Sequence, residues 1–340
     1  MNVLLTSVGR RTYLIDYFKE VLNGKGEVHA ANSCYTYSLS HAHSYVITPG
    51  IYDCEYIDFL LDYCKKHGIG VIISLFDIDL PVLSRNKRLF DENGIKVIVS
   101  DIDAINICND KWQTYKFLSD NNIPTPKTYL GRESLLEAIS KGEILFPVIM
   151  KPRWGMGSIG VYRIDNADEL EVLYAKLHRQ IFDSYLKYES NASKDDCIIL
   201  QELINGQEYG LDVLNDLSGN HVTTIAKKKI AMRAGETDIA EIVDPGPFKG
   251  IGHALSESLR HIANLDADCF LGEDGVIRVL ELNCRFGGQY PFSHMAGVNF
   301  PRQIIDWIEN RPTDPANITP KIGTVCCKDL RPVIMSERPE

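Results

Sequence analysis

The sequence predicts an α/β fold: an N-terminal parallel α/β domain followed by a two-lobed α+β part. In the first hundred residues, apolar strand-like runs alternate with helix-length segments, the spacing that crossovers between parallel strands require. Further on, apolar runs return on themselves through glycine turns, as in "FPVIMKPRWGMGSIGVYRI" and "CFLGEDGVIRVLELN", which is the pattern of hairpins. A chain of 340 residues, 44% hydrophobic and 24% charged, is long enough for two or three lobes, each with its own core.

The elements follow in order. "NVLLTS" is a strand, "TYLIDYFKEVL" a helix, "EVHAAN" a strand, "CEYIDFLLDYCKKHG" a helix, and "GVIISL" and "KVIVS" are further strands. Parallel sheets bind ligands at the carboxyl ends of their strands, which places "TSVGRR" and "SLFDIDL" at a crevice. "TSVGRRTYL" has a single glycine where a dinucleotide fold has GxGxxG, which argues against a dehydrogenase. A second unit opens at "NDKWQTYKFLSDNNIPTPKTY": Asn109 or Asp110 caps a helix with Trp112, Tyr115 and Leu118 on its apolar stripe, and Pro124 and Pro126 end it. "ESLLEAISKGE" reads as a helix and "FPVIMKP" as a strand, while residues 183–196, polar and unpatterned, read as a mobile surface loop. The expected boundaries are 1–108 for the N-terminal domain and 109–311 for the two lobes. The small glycine-loop lobe takes about 125–203 and the central lobe about 204–311, leaving residues 312–340 as an extension that packs on the central lobe.

A formal charge of −10 argues against nucleic acid or an anionic membrane as partner, since both attract a basic field. Basic residues cluster locally, most densely at Lys227, Lys228 and Lys229. No apolar stretch approaches the ~20 residues of a membrane span, and "MNVLLTSVGRR" lacks the layout of a signal peptide; a cytoplasmic location is expected. Nine cysteines with no CxxC pair indicate neither a disulfide framework nor a zinc site, and most read as small buried hydrophobes.

Three constellations carry chemistry. In the first, an apolar strand delivers Lys151 to a turn containing Gly155, Gly157 and Gly160, where backbone N–H groups can approach phosphate oxygens and the lysine adds charge. In the second, "LQELINGQEYGLDV", the strand end "QELI" offers backbone groups to the edge of a base, and Glu208 follows as an acceptor for ribose hydroxyls; a plain turn at Asn205–Gly206 is the alternative. In the third, Asp266 and Asp268 lie on one strand, "GEDG" turns it, and Glu281 and Asn283 lie on the return. Carboxylates facing one another across a sheet need a cation between them, and an all-oxygen donor set suits Mg²⁺ or Mn²⁺ shared with phosphates. Arg285, two residues further along the same face, is placed to neutralise charge that develops in a transition state.

Together, "NDK" at 109–111, "PVIMKPRWGMGSIGV" at 147–161, "LQELINGQEYGLDV" at 200–213 and "LELNCRFGG" at 280–288 resemble, in order, the motifs of the ATP-grasp superfamily. The resemblance implies an N-terminal pre-ATP-grasp domain and an ATP-grasp fold over residues 1–311. It further implies that Lys111 and Lys151 contact ATP phosphates, that the glycine loop with Gly155, Gly157 and Ser158 closes over them, and that Gln201, Glu202, Leu203 and Ile204 hold adenine. Glu208 would bind ribose, and Asp268, Glu281 and Asn283 would hold magnesium (or manganese). "KKKIAMRAGE" and "NCRFGGQYPFSHMAGVNFP" are most similar to stand-alone relatives of the carbamoyl phosphate synthase large subunit, with Cys284 in place of the usual proline.

The activity so implied is an ATP-dependent, ADP-forming ligase that activates a small carboxylic acid as an acylphosphate and joins it to an amine. Arg285, Lys151 and Arg233 are the expected catalytic residues, with Arg153 a further candidate for the substrate carboxylate. His294 reads as a packed histidine rather than a general base. One alternative, a carbamoyl phosphate synthase-like enzyme that forms carboxyphosphate, uses the same residues; another, an ATP-binding regulatory protein without turnover, is expected to lose metal ligands, whereas Glu281 and Asn283 are both present. The expected partners are small-molecule substrates, and the resemblance implies a homodimer.

Overall fold

The computed structural model describes residues 1–335, so the last five residues of the expected 312–340 extension lie outside it. Strands β1 (Asn2–Thr6), β2 (Val28–Asn32), β3 (Ser44–Ile47), β4 (Ile69–Ser74) and β5 (Lys96–Ile98) form a parallel sheet in the order β3-β2-β1-β4-β5. Strand order reverses beside β1, so the carboxyl ends of β1 and β4 flank the crevice. The helix Thr12–Leu22 buries Leu14, Ile15, Phe18, Val21 and Leu22, a stripe spaced by three and four residues that faces the sheet. At that crevice Asp79 opens the helix Asp79–Arg85 and accepts hydrogen bonds from Thr6 (2.5 Å), Ser74 (2.9 Å), Tyr56 (2.8 Å) and Ser7 (3.2 Å). Burial raises its carboxyl above the ordinary range, while those four hydroxyls oppose the shift.

The small lobe contains β6 (Thr128–Leu130), β7 (Val148–Pro152), β8 (Tyr162–Ile164) and β9 (Ile198–Glu202), antiparallel in the order β6-β9-β7-β8. The central lobe is a six-stranded antiparallel sheet, β14-β13-β10-β11-β12-β15. Its strands are β10 (Gly206–Asn215), β11 (His221–Arg233), β12 (Glu236–Val243), β13 (Ala263–Gly272), β14 (Ile277–Asn283) and β15 (Val325–Cys327). Strand β15 comes from the C-terminal extension and pairs with β12 through Ile239–Cys327 and Glu241–Val325.

Core packing couples two of these sheets and sets the third apart. Leu4, Ile72 and Val97 share one buried cluster with Leu211, Leu265 and Leu282, whereas Val148, Ile198, Leu200 and Leu177 form a separate core in the small lobe. The N-terminal sheet and the central sheet therefore behave as one packed block, against which the small lobe is a second body. Six of the nine cysteines are buried and three, Cys34, Cys54 and Cys327, are exposed. Among the described residues no helix is long and apolar enough to cross a membrane.

Residues 183–196 correct the sequence expectation of an unpatterned loop. They contain a short helix, Lys187–Ser190, with Leu186 and Ser190 buried, because these two residues, four apart, fall on one helical face. Leu186 stands 3.3 Å from where a Cβ on Gly155 would lie, so the segment backs the glycine loop.

Candidate functional site

One face of the central sheet carries a polar patch that spans β10, β11, β13 and β14. Register places Gly210 opposite Lys227 and Asp268, Asp212 opposite Asp266, Asp268 opposite Glu281, and Asp266 opposite Asn283. Strand alternation then puts Glu208, Asp212, Lys227, Lys229, Asp266, Asp268, Glu281 and Asn283 on one side, while Leu211, Val213, Leu265, Ala267 and Leu282 face the core. Charges on the polar face are paired. Lys229 donates to Asp268 (2.7 Å) and Glu208 (2.6 Å), and although burial opposes its charge, these carboxylates raise its pKa. Deeper in, Lys227 pairs with Asp212, both with fully buried side chains, and Ser293 donates to the same Asp212 oxygen at 2.5 Å.

Arg285 crosses from this face to the N-terminal domain. Its guanidinium donates to Asp77 (2.9 and 3.1 Å) and to Asp266 (3.2 Å). Buried as it is, it keeps its charge because the Asp77 and Asp266 carboxylates outweigh the desolvation. Asp77 belongs to "SLFDIDL", so the strand-end crevice anchors the arginine of the central lobe.

Two cavities open over the polar face. The smaller, about 270 Å³, lies between the small and central lobes. Lys111, Lys151, Gly155, Ser158, Gln201, Glu202, Leu203, Ile204, Glu208, Asp268 and Glu281 line it together. The larger, about 460 Å³, lies between the N-terminal and central sheets, and its walls include Gly157, Asn283 and Arg285. Both cavities share Met156, Ser158, Ile159, Lys229, Met232, Gly235, Asp268 and Glu281. Lys151 donates to the Gln201 side chain at 2.9 Å, and Gln201 donates to Thr128 at 2.8 Å. Burial lowers Lys151 to about 8, partly offset by the Glu281 carboxylate. Lys111 donates to the Gly155 carbonyl and lies 3.6 Å from Glu281.

Gly155, Gly157, Ser158 and Gly160 all have positive φ, the conformation that folds the loop back on itself. Its tip rests on the β11–β12 turn: a Cβ on Gly235 would come within 2.8 Å of the Gly157 carbonyl. A second close approach fixes Gln289, which donates to Asp266 (2.8 Å) and Asp268 (3.1 Å). A Cβ on Gly210 would lie 1.7 Å from its Oε1. Gly210→Ala is therefore expected to cost about 1–3 kcal/mol of stability and to loosen both aspartates. Urea unfolding together with a Mg²⁺ titration of activity checks this, and an unchanged Mg²⁺ requirement would rule the linkage out.

Asp268, Glu281 and Asn283 supply two carboxylates and one amide oxygen from neighbouring strands, and the counter-charges standing at the carboxylates are the Lys229 and Lys111 ammonium groups. No group of three or more His, Cys, Asp and Glu residues among those described is spaced to enclose a metal ion alone. An all-oxygen set of this size fits a hard divalent cation that completes its coordination with phosphate oxygens and water.

Arg233 does not join the site, which corrects the expectation for it. It is exposed, binds Asp238 at 2.7 Å and lines neither cavity. Simple alternation would carry the Lys229 face on to Ala231 and Arg233, but the strand bulges between Lys229 and Met232, so Met232 turns inward instead. Arg153 is likewise occupied, donating to Asp110 at 2.7 and 2.8 Å and stacking on Trp154 at 4.3 Å. His294 stacks on Tyr17 at 3.5 Å, and burial lowers it to about 4. Sequence reasoning assigns no site role to Lys229, Asp77 or Gln289. For Lys229 a signal was present, since the 227–229 lysine run alternates across a strand.

Residues 3–98 match the PylC-like N-terminal domain and residues 144–290 match the ATP-grasp domain. D-alanine–D-alanine ligase of Corynebacterium aurimucosum is 28% identical over 202 residues, 57% of this chain and 52% of the ligase. The carbamoyl phosphate synthase large chain of Pseudothermotoga lettingae is 24% identical over 245 residues, 68% of this chain and 20% of the synthase. This chain thus spans about half of the first relative and a fifth of the second. Among solved structures, the biotin carboxylase domain of Hydrogenobacter thermophilus 2-oxoglutarate carboxylase, in complex with MgADP and bicarbonate, superposes with a TM-score of 0.73. The identity is 17%, and the match covers 96% of this chain and 74% of that one.

Proposed function

We propose that this chain, an ATP-grasp domain behind a PylC-like N-terminal domain, is an ADP-forming ligase that activates a small carboxylic acid with Mg-ATP and joins it to an amine. The observation that carries the reading is the wall common to both cavities: Asp268, Glu281 and Lys229 face the smaller and the larger alike. A nucleotide in the smaller cavity and an acid in the larger would then meet over one charged platform.

In this reading Lys111 and Lys151 hold the phosphates, the 155–160 turn covers them, the 201–204 strand end receives the base, and Glu208 receives the ribose. Asp268, Glu281 and Asn283 hold the divalent cation, which screens the repulsion between phosphate and carboxylate. Arg285, fixed by Asp77 and Asp266, orients the acid and stabilises charge on the transferring group. The amine enters from the larger cavity and displaces phosphate, so no covalent intermediate with the protein is needed.

ADP release from Mg-ATP against a panel of carboxylates, each with and without an amine panel, tests the assignment. Release that requires one acid and one amine supports it. Release with an acid or bicarbonate alone replaces it with an acylphosphate-releasing enzyme, and ATP binding without turnover across the panel removes catalysis.

The Lys151 environment adds a pH signature. An ammonium with a pKa of about 8 is charged below that pH and neutral above it, so KM for ATP is expected to rise toward a tenfold change per pH unit above pH 8. Lys151→Arg stays charged and should flatten the profile; a flat wild-type profile from pH 7 to 9.5 would exclude Lys151 as the titrating phosphate contact.

A further inference from the structure

At the platform wall of the larger cavity every cation is matched. Arg285 lies between Asp77 and Asp266, and Lys229 between Asp268 and Glu208. The wall formed by the N-terminal domain differs. Arg11, half-buried beside Tyr13, lines the cavity with Ser7, Asn32 and Ser33. The carboxylate there is Glu236, which already binds Lys328 at 2.8 Å.

Lys328 is held in place from the C-terminal extension. It follows β15, its backbone N–H donates to the Asp238 carbonyl at 2.8 Å, and its ammonium lies 3.8 Å from where a Cβ on Gly288 would stand in the cavity wall. Burial pushes the Glu236 carboxyl up, but Lys328, then Arg11 and Arg10, hold it below its ordinary value, so all three cations are within electrostatic reach of one carboxylate. Of the two cations at this wall Lys328 is matched by Glu236, whereas Arg11 makes no ion pair among the described residues and leaves a local positive charge on a chain of net charge −10. Facing a wall whose cations are all held by carboxylates, such an unmatched charge is a recognition element for an anion.

We propose that Arg11 and Lys328, with the Asn32–Ser33 edge, form an anion subsite for a carboxylate or phosphate that the substrate carries in addition to its reacting group. The word substrate here rests on the ligase reading; the anion binding does not. Arg11 supplies the planar fork that grips two oxygens, and Lys328 adds a point charge. The subsite makes Arg11 a specificity determinant and assigns the C-terminal extension a role in ligand recognition.

The test uses the full chain with Mg-ADP bound and probes that differ only in charge: amino acids of both hands against their amides, dicarboxylates against their monoamides, and sugar phosphates against the free sugars. Calorimetry reads binding, and ADP release from Mg-ATP is read in parallel on the same probes. At least one anionic probe should bind, with its neutral counterpart at least about tenfold weaker, and its class separates carboxylate from phosphate. Arg11→Gln should bring the pair within about threefold, Arg11→Lys should restore part of the difference, and Lys328→Ala should reduce it less. Melting temperature and ADP affinity establish that each variant folds, since Arg11 does not line the smaller cavity.

Equal binding of both members of every pair, discrimination that survives Arg11→Gln, or no binding across the panel would each overturn the subsite. Charge discrimination without ADP release keeps the subsite and removes the ligase reading, whereas ADP release without discrimination does the reverse.

Discussion

Glu281→Ala is expected to lower the rate of ADP release by a factor on the order of 10²–10³ while leaving the fold intact. Glu281 lines both cavities, stands opposite Asp268 on the neighbouring strand and lies 3.6 Å from Lys111. Its removal takes one of two carboxylates from the proposed cation platform. It also deprives Lys151 of the carboxylate that does most to offset its burial. Two effects then add: a weaker proposed cation site, and a lysine proposed to hold phosphate that loses its proton at lower pH. The loss of stability should be the smaller effect, because removing Glu281 also relieves its repulsion with Asp268 on the neighbouring strand. Steady-state rates over a Mg²⁺ series, with Glu281→Asp as partial rescue, check this. A variant within tenfold of wild type at every Mg²⁺ concentration would remove Glu281 from the platform.

Lys227→Met should have the largest effect on stability, a loss of about 3–5 kcal/mol. Lys227 and Asp212 pair with both side chains fully buried, so removing the ammonium leaves a carboxylate with only Ser293 (2.5 Å) and the more distant Asn264 amide (3.5 Å) as donors. Asp266 is already raised by burial, then by Asp268, and Lys227 is one of the cations that oppose the rise, so the variant also shifts charge at the platform. Asp212→Leu with Lys227→Met should recover most of the loss, because an apolar pair avoids the orphaned charge. Urea unfolding of the single and double variants measures both terms. A single-variant loss below about 1 kcal/mol would show that Asp212 does not depend on Lys227.

Much of the site was legible because its signals are local. A lysine before spaced glycines, an acid followed by an amide two residues on, and an all-oxygen donor set keep their meaning in any fold that makes the strands. Arg233 shows where local reasoning stops. Its face follows from alternation only if the strand is regular, and the bulge between Lys229 and Met232 reverses it. The polar stretch 183–196 misled for a related reason. Leu186 and Ser190 become informative only when the glycine loop they support is beside them.

By itself, then, the sequence determined the alternation of strands and helices, the hairpins, and the residue types of the proposed phosphate and hard-cation site, since each depends on neighbours a few positions away. Tertiary structure alone decided which charges meet. Asp77 reaches Arg285 across 208 positions, Lys229 bridges two strands, and Lys328 returns from the C-terminal extension to Glu236. These pairings hold because burial makes an unmatched charge costly. Which partner cancels it depends on sheet register and lobe packing, which no single segment encodes.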